Sequence, residues 1–104
     1  MGQACVKRDD SGVARVEGDL DFVSVVPLVK LPDWLFTETK DPVIDLAGVE
    51  HANSAGVALL LEWMADARRD GRRLRFVNLP DSLRRLAALS HLEALLGIED
   101  DSRR

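Results

Sequence analysis

Two short apolar runs joined by a segment of helical period leave this chain few folds to choose from. Val43-Ile44-Asp45-Leu46-Ala47 is apolar and rich in β-branched residues, the pattern of a strand covered on both faces and placed mid-sheet. From Ser54 to Asp70 the apolar positions Val57, Leu60, Leu61 and Met64 fall on one helical face, and Gly71 stands where a left-handed C-terminal cap is wanted. Leu74, Phe76 and Val77 then make a further strand, ended by Asn78-Leu79-Pro80. A helix between two strands carries the chain back across the sheet, so the strands it joins are expected to run parallel.

The flanking segments complete a sheet-and-helix domain. Gln3 to Lys7 and Val13 to Glu17 read as two strands around the turn cluster Asp9-Asp10-Ser11-Gly12, an antiparallel hairpin. Phe22, Val25, Val26 and Val29 recur at helical spacing up to Pro32 and predict one helix, started near Val26 or kinked by Pro27. Asp81 or Ser82 is placed to cap a last helix with the core face Leu83, Leu86 and Ala87. Ser90-His91-Leu92-Glu93 has capping-box spacing, which predicts a break at Ser90 and a restart ending at Gly97. The fold class is therefore α/β: a mixed sheet of about four strands, hairpin antiparallel and later strands parallel, covered by three to four helices. Residues 1–98 form one domain, and the charged segment 99–104 is expected to be a mobile tail.

Composition narrows the function. With 104 residues, 46% hydrophobic and 31% charged, the chain has the balance of a folded soluble domain. Its most apolar run, Ala55 to Met64, is broken by Glu62 and falls short of the roughly 20 residues that cross a bilayer. The opening MGQACVKRDD carries no charged-then-apolar leader, so a cytoplasmic location is expected. A net charge of −4 argues against nucleic-acid binding. Arg68, Arg69, Arg72, Arg73 and Arg75 crowd one segment, either a basic patch or a solvated helix end suited to the helix dipole.

Chemistry-bearing motifs are sparse. Cys5 is the sole cysteine, and His51 and His91 belong to no ligand-spaced cluster, so neither a metal nor another cofactor is expected. There is no glycine-rich phosphate loop and no hydrolase elbow around Ser54, because position 52 is Ala, and no catalytic residue is assigned. The unusual feature is the polar step His51-Ala52-Asn53-Ser54 followed by Ala55-Gly56, where the strand hands over to the helix. Asn53 or Ser54 can cap that helix, and the small neighbours leave the hydroxyl unshielded at the positive helix end, beside the C-terminal edge of parallel strands. An exposed hydroxyl there suits recognition by another protein, or phosphorylation. Leu59 and Trp63 form a second apolar stripe on the same helix, either part of a wide buried face or a partner-facing patch continuous with Ser54. Trp34, in LPDWLF, is a further candidate anchor or a cover over the core edge. Asp45 is expected to bond backbone at its strand end.

The segment VIDLAGVEHANSAGVALLLEW, preceded by ARVEGDLDF and followed by GRRLRFVNLPDSLRRLAALSHLEALLG, resembles the STAS domain family, that of the anti-sigma-factor antagonists, over nearly the whole chain. GDL before the first helix and GVALLLEW in the second are most similar to the branch that serves as a cytoplasmic subunit of a phospholipid ABC transporter of Gram-negative bacteria. The resemblance implies a non-enzymatic module that docks on the transporter's ATPase subunit, peripheral to the inner membrane and not inserted in it. The alternative it leaves open is an anti-sigma-factor antagonist switched by phosphorylation, and a small-ligand sensor is a third. It places the family's key hydroxyl at Ser54; together with the residues singled out above, the candidate partner-binding set is Ser54, Asn53, Ala55, His51, Leu59, Trp63, Asp21 and Trp34. Where the family usually has Asp before the hydroxyl, this chain has Asn53, and Asp21 occupies a position expected to lie near it.

Overall fold

The computed structural model describes residues 4–37 and 41–90. Within them four strands, β1 (Cys5–Arg8), β2 (Ala14–Leu20), β3 (Val43–Ala52) and β4 (Arg75–Val77), make one sheet in the order β1-β2-β3-β4. β1 pairs antiparallel with β2, while β2 with β3 and β3 with β4 are parallel, as the alternation of strands and helices requires. The hairpin turn is closed by Asp9, whose carboxylate accepts from the N–H groups of Ser11 and Val13, and Gly12 takes the positive φ of 83° that the turn needs.

α2 (Ser54–Arg69) is the long helix, and Gly71, at φ 70°, ends its C-terminal turn as expected. Its buried residues include Val57, Leu60 and Met64 and also Leu59 and Trp63, so both apolar stripes face inward. α3 (Asp81–Leu89) buries Leu83 and Ala87 and leaves Leu86 partly covered. Its N-cap position is Pro80, which makes no side-chain cap; Asp81 lies inside the first turn, where its charge suits the dipole, rather than at the cap. Ser90 is the C-cap residue; the expected restart through Glu93 to Gly97 and the tail 99–104 lie outside the described residues.

Two expectations are corrected by packing. The run at Val43 to Ala47 does sit mid-sheet, but only one of its faces is covered: Ile44 and Leu46 are buried, whereas Asp45 is half-buried and Ala47 exposed. The opposite face of the sheet is polar, with Lys7, Arg15, Glu17 and Arg75 at its surface, so β3 alternates like a one-sided strand. The single helix expected over Phe22 to Val29 does not form. The chain instead makes a turn, a 3-10 turn at Val26–Leu28 and a separate short helix α1 (Asp33–Thr37). Pro27 and Pro32 each start a new turn because neither can donate the N–H that a continuous helix needs.

The facing of that segment also differs from its periodicity. Leu28, Leu31 and Leu35 enter the core, while Phe22, Val23 and Val26 are 67%, 82% and 67% exposed. Of the predicted stripe only Val25 packs against the core, and it is partly buried, while Leu28, Leu31 and Leu35 take the buried positions.

Candidate partner-docking site

The C-terminal ends of β2 and β3 and the start of α2 meet at one corner. Leu20 pairs with Ala52, and the N–H of Asn53 donates to the Leu20 carbonyl at 3.1 Å, so the turn after β2 is tied to the start of α2. Asn53 is the N-cap: its extended backbone turns the chain, and its side-chain oxygen accepts from the Ala55 N–H at 2.9 Å. Capping is thus done by Asn53, and Ser54 is exposed, with no hydrogen bond to its hydroxyl among the described residues. An uncharged Asn performs the cap without the carboxylate expected at this position, because the N–H groups require only an oxygen acceptor.

Ala55 and Gly56 do something other than leave the hydroxyl bare. Both are buried, and a Cβ on Gly56 would lie 3.0 Å from Leu83 Cδ2, 3.2 Å from Leu20 Cβ and 3.4 Å from Ala52 Cβ. Small residues here let the first turn of α2 press onto β2, β3 and α3. The surface that accompanies Ser54 is instead one turn on, at exposed Ala58, and then Glu62.

Asp21 and Ser24 build the turn that borders this corner. The Asp21 carboxylate accepts from the N–H groups of Val23 and Ser24 at 2.9 and 2.8 Å, while the Ser24 hydroxyl accepts from the Asp21 N–H and donates to the Asp19 carbonyl at 2.6 Å. The hydrogen bonds from Ser24 and Val23 hold the Asp21 carboxyl below its ordinary value. Asp21 therefore spends its charge on the turn. Its consequence is presentation: Phe22 and Val23 are held outward at the tip, with Val26 and Val29 following on the same exposed segment.

Of the four residues whose helical spacing was visible in the sequence, Phe22, Val26 and Val29 are exposed and Val25 is partly buried against the core; Val23, outside that spacing, completes the exposed set. Trp63 underlies it. Expected as a partner contact, Trp63 is fully buried and its indole N–H donates to the Leu28 carbonyl at 2.8 Å, pinning the 3-10 turn from below. Leu59, only 3% exposed, is likewise core rather than surface, because α2 is enclosed on both stripes. Trp34 takes the second of its two expected roles, a cover over the core edge, and not that of an anchor beside Ser54. It packs at the core edge with the Arg8 guanidinium 5.8 Å from its ring centre, and Arg8 pairs with Ala14 at the far end of β2 from Ser54. His51 is exposed at the corner, where its Nδ1 lies 3.2 Å from Asp19 Oδ1. Asp45 accepts from the Ala47 N–H and from the Asn78 amide, the backbone role expected of it plus one side-chain partner.

Comparison with known proteins agrees with this architecture. A family model described as "Mlab, STAS domain" matches residues 4–97. Among solved structures, an anti-sigma factor antagonist from Mycobacterium paratuberculosis superimposes with a TM-score of 0.65 at 23% identity, over 91% of this chain and 82% of that one. The anti-sigma factor antagonist SpoIIAA in its unphosphorylated form gives 0.60 at 19% identity, over 96% of this chain and all of the other. Among the described residues no helix is long and apolar enough to cross a membrane. The four-stranded mixed sheet, the capped serine corner and the family match together make this chain a member of the MlaB-type STAS domain family.

Proposed function

We propose that this protein is a non-enzymatic binding module that docks, through the Ser54 corner, on the ATPase subunit of an ABC phospholipid transporter, and so acts at the cytoplasmic side of the inner membrane in maintaining lipid asymmetry. The observation that carries the reading is an uncommitted hydroxyl beside an exposed apolar turn. Ser54 is released from capping by Asn53, and Phe22, Val23, Val26 and Val29 stand exposed on the segment tied to the same corner. Contiguous apolar surface of this kind is costly to leave in water and marks a contact site. The MlaB-type family match supplies the class of partner. Docking regulates the ATPase if the module binds one of its conformations more tightly than another.

The test is co-purification of the ATPase with Ser54→Arg and Phe22→Asp variants. Both are expected to lose the ATPase while keeping the parent circular dichroism spectrum; retention by both variants rejects the site. A second reading, a phospho-switched antagonist of an anti-sigma factor, is favoured by the same free hydroxyl, since a phosphate there would meet the positive end of α2. Mass spectrometry of the protein from its native cells separates the two: phosphate on Ser54 supports the switch, and its absence together with ATPase capture supports the transporter role.

A further inference from the structure

His51 and Asp19 are 32 residues apart, and their spacing with Glu50 matches no ligand motif, yet strand pairing brings all three to one point. One donor atom from each of Asp19, Glu50 and His51 lies within 4.8 Å of the others. A register shift is the reason. Gly18 pairs with Val49 but Asp19 pairs with His51, so Glu50 is an extra, unpaired residue in β3. Consecutive strand residues normally point to opposite faces, and a bulge re-aims one of them. Here the bulge lets neighbours Glu50 and His51 both reach Asp19, whose strand is fixed in the centre of the sheet. Bulges are uncommon in parallel pairs, and this one sits at the C-terminal edge, three residues before Ser54.

From this geometry we propose that Asp19, Glu50 and His51 form a binding site for a first-row transition dication. One imidazole and two carboxylates select zinc- or cobalt-type ions over magnesium or calcium, which prefer an all-oxygen shell. The ion takes the place between His51 Nδ1 and Asp19 Oδ1, now 3.2 Å apart, and Glu50 supplies the third ligand from the exposed side. Three protein ligands leave a coordination position open to water or to a group from a docked protein. The two carboxylates neutralise the ion's charge, so occupancy changes the corner from acidic to neutral without rebuilding the fold.

The experiment uses the full chain free of any affinity tag, titrated with Zn2+ by calorimetry and with Co2+ by visible absorption, with the imidazole resonances of both histidines followed by NMR. One ion per chain is expected, with the His51 ring shifting saturably and the His91 ring unmoved. His51→Ala and Asp19→Asn are each expected to weaken binding at least about tenfold. No saturable binding below about 1 mM, the scale of only weak association, overturns the site. So do shifts confined to His91, or affinity within about twofold of the parent in both variants. The NMR arm on the parent protein decides the matter even where a variant fails to fold.

Discussion

The buried indole of Trp63 donates its N–H to the carbonyl oxygen of Leu28, 2.8 Å away, and so fastens the irregular segment after β2 to the long helix α2. Leu28 is the point at which the exposed turn carrying Phe22, Val23 and Val26 dips into the core. A residue with no surface of its own thus sets the position of the surface.

Trp63→Phe keeps most of the apolar contact but strips the Leu28 carbonyl of its donor. A cost of about 1–3 kcal/mol is expected from leaving a buried acceptor unpaired. Urea denaturation reads it, and hydrogen exchange in residues 22–29 should rise more than in β2 or β3, since the bond anchors that segment specifically.

Gly56→Ala sets two effects against each other. Alanine is favoured over glycine inside a helix by about 1 kcal/mol. The added methyl would lie 3.0 Å from Leu83 and 3.2 Å from Leu20, both fully buried and without space to retreat. Overpacking of about 1–3 kcal/mol is expected to win. A midpoint of thermal unfolding at or above the parent's would refute this account of the close approach.

Asn53→Ala removes the acceptor for the Ala55 N–H and is expected to cost about 1 kcal/mol. Asn53→Asp keeps the acceptor and adds a negative charge at the positive end of α2, a gain of about 0.3–1 kcal/mol at neutral pH that is screened by salt. The gain should vanish on acidification, as the new carboxyl protonates. Denaturation curves at two pH values and two ionic strengths check both halves.

Val23→Ser and Val26→Ser, both at exposed positions, should leave stability within about ±0.5 kcal/mol. If the turn is a contact surface, the pair together weakens ATPase co-purification. Stability unchanged with capture unchanged would remove the apolar turn from the docking site and leave Ser54 alone.

Strong acid should weaken the hairpin turn and the Asp21 turn. The carboxyls of Asp9 and Asp21 are both held below their ordinary 3.8, Asp9 chiefly by the Val13 N–H and Asp21 by those of Ser24 and Val23. A lowered folded-state value means the stabilisation is present above about pH 3.8 and is lost as pH falls through the lower, folded-state value. Asp21→Asn, which keeps an oxygen acceptor but no charge, should differ most from the parent above pH 4 and converge with it in stronger acid. Stability measured by denaturant at intervals from neutral pH downward tests the convergence.

The strand-helix-strand order, the parallel pairing, the turn at Asp9 to Gly12, the cap before Ala55 and the stop at Gly71 were all legible in the sequence. The parallel pairing follows from the helical crossover between strands, and the rest depend on residues close in the chain: a repeat of 3.6, a side-chain acceptor two residues from its donor, a glycine where φ must be positive. The Ser54 corner was legible for the same reason. Tertiary structure alone decided which apolar stripe the core would take. Phe22, Val25, Val26 and Val29 have the spacing of a buried face, yet Phe22, Val26 and Val29 are exposed and Val25 is only partly buried, while Leu28, Leu31, Leu35 and Trp63 lie in the core. Trp63 went inward and Phe22 outward because packing counts space, which no local period records. The meeting of Asp19 with Glu50 and His51 was equally hidden, since it follows from a one-residue slip between paired strands.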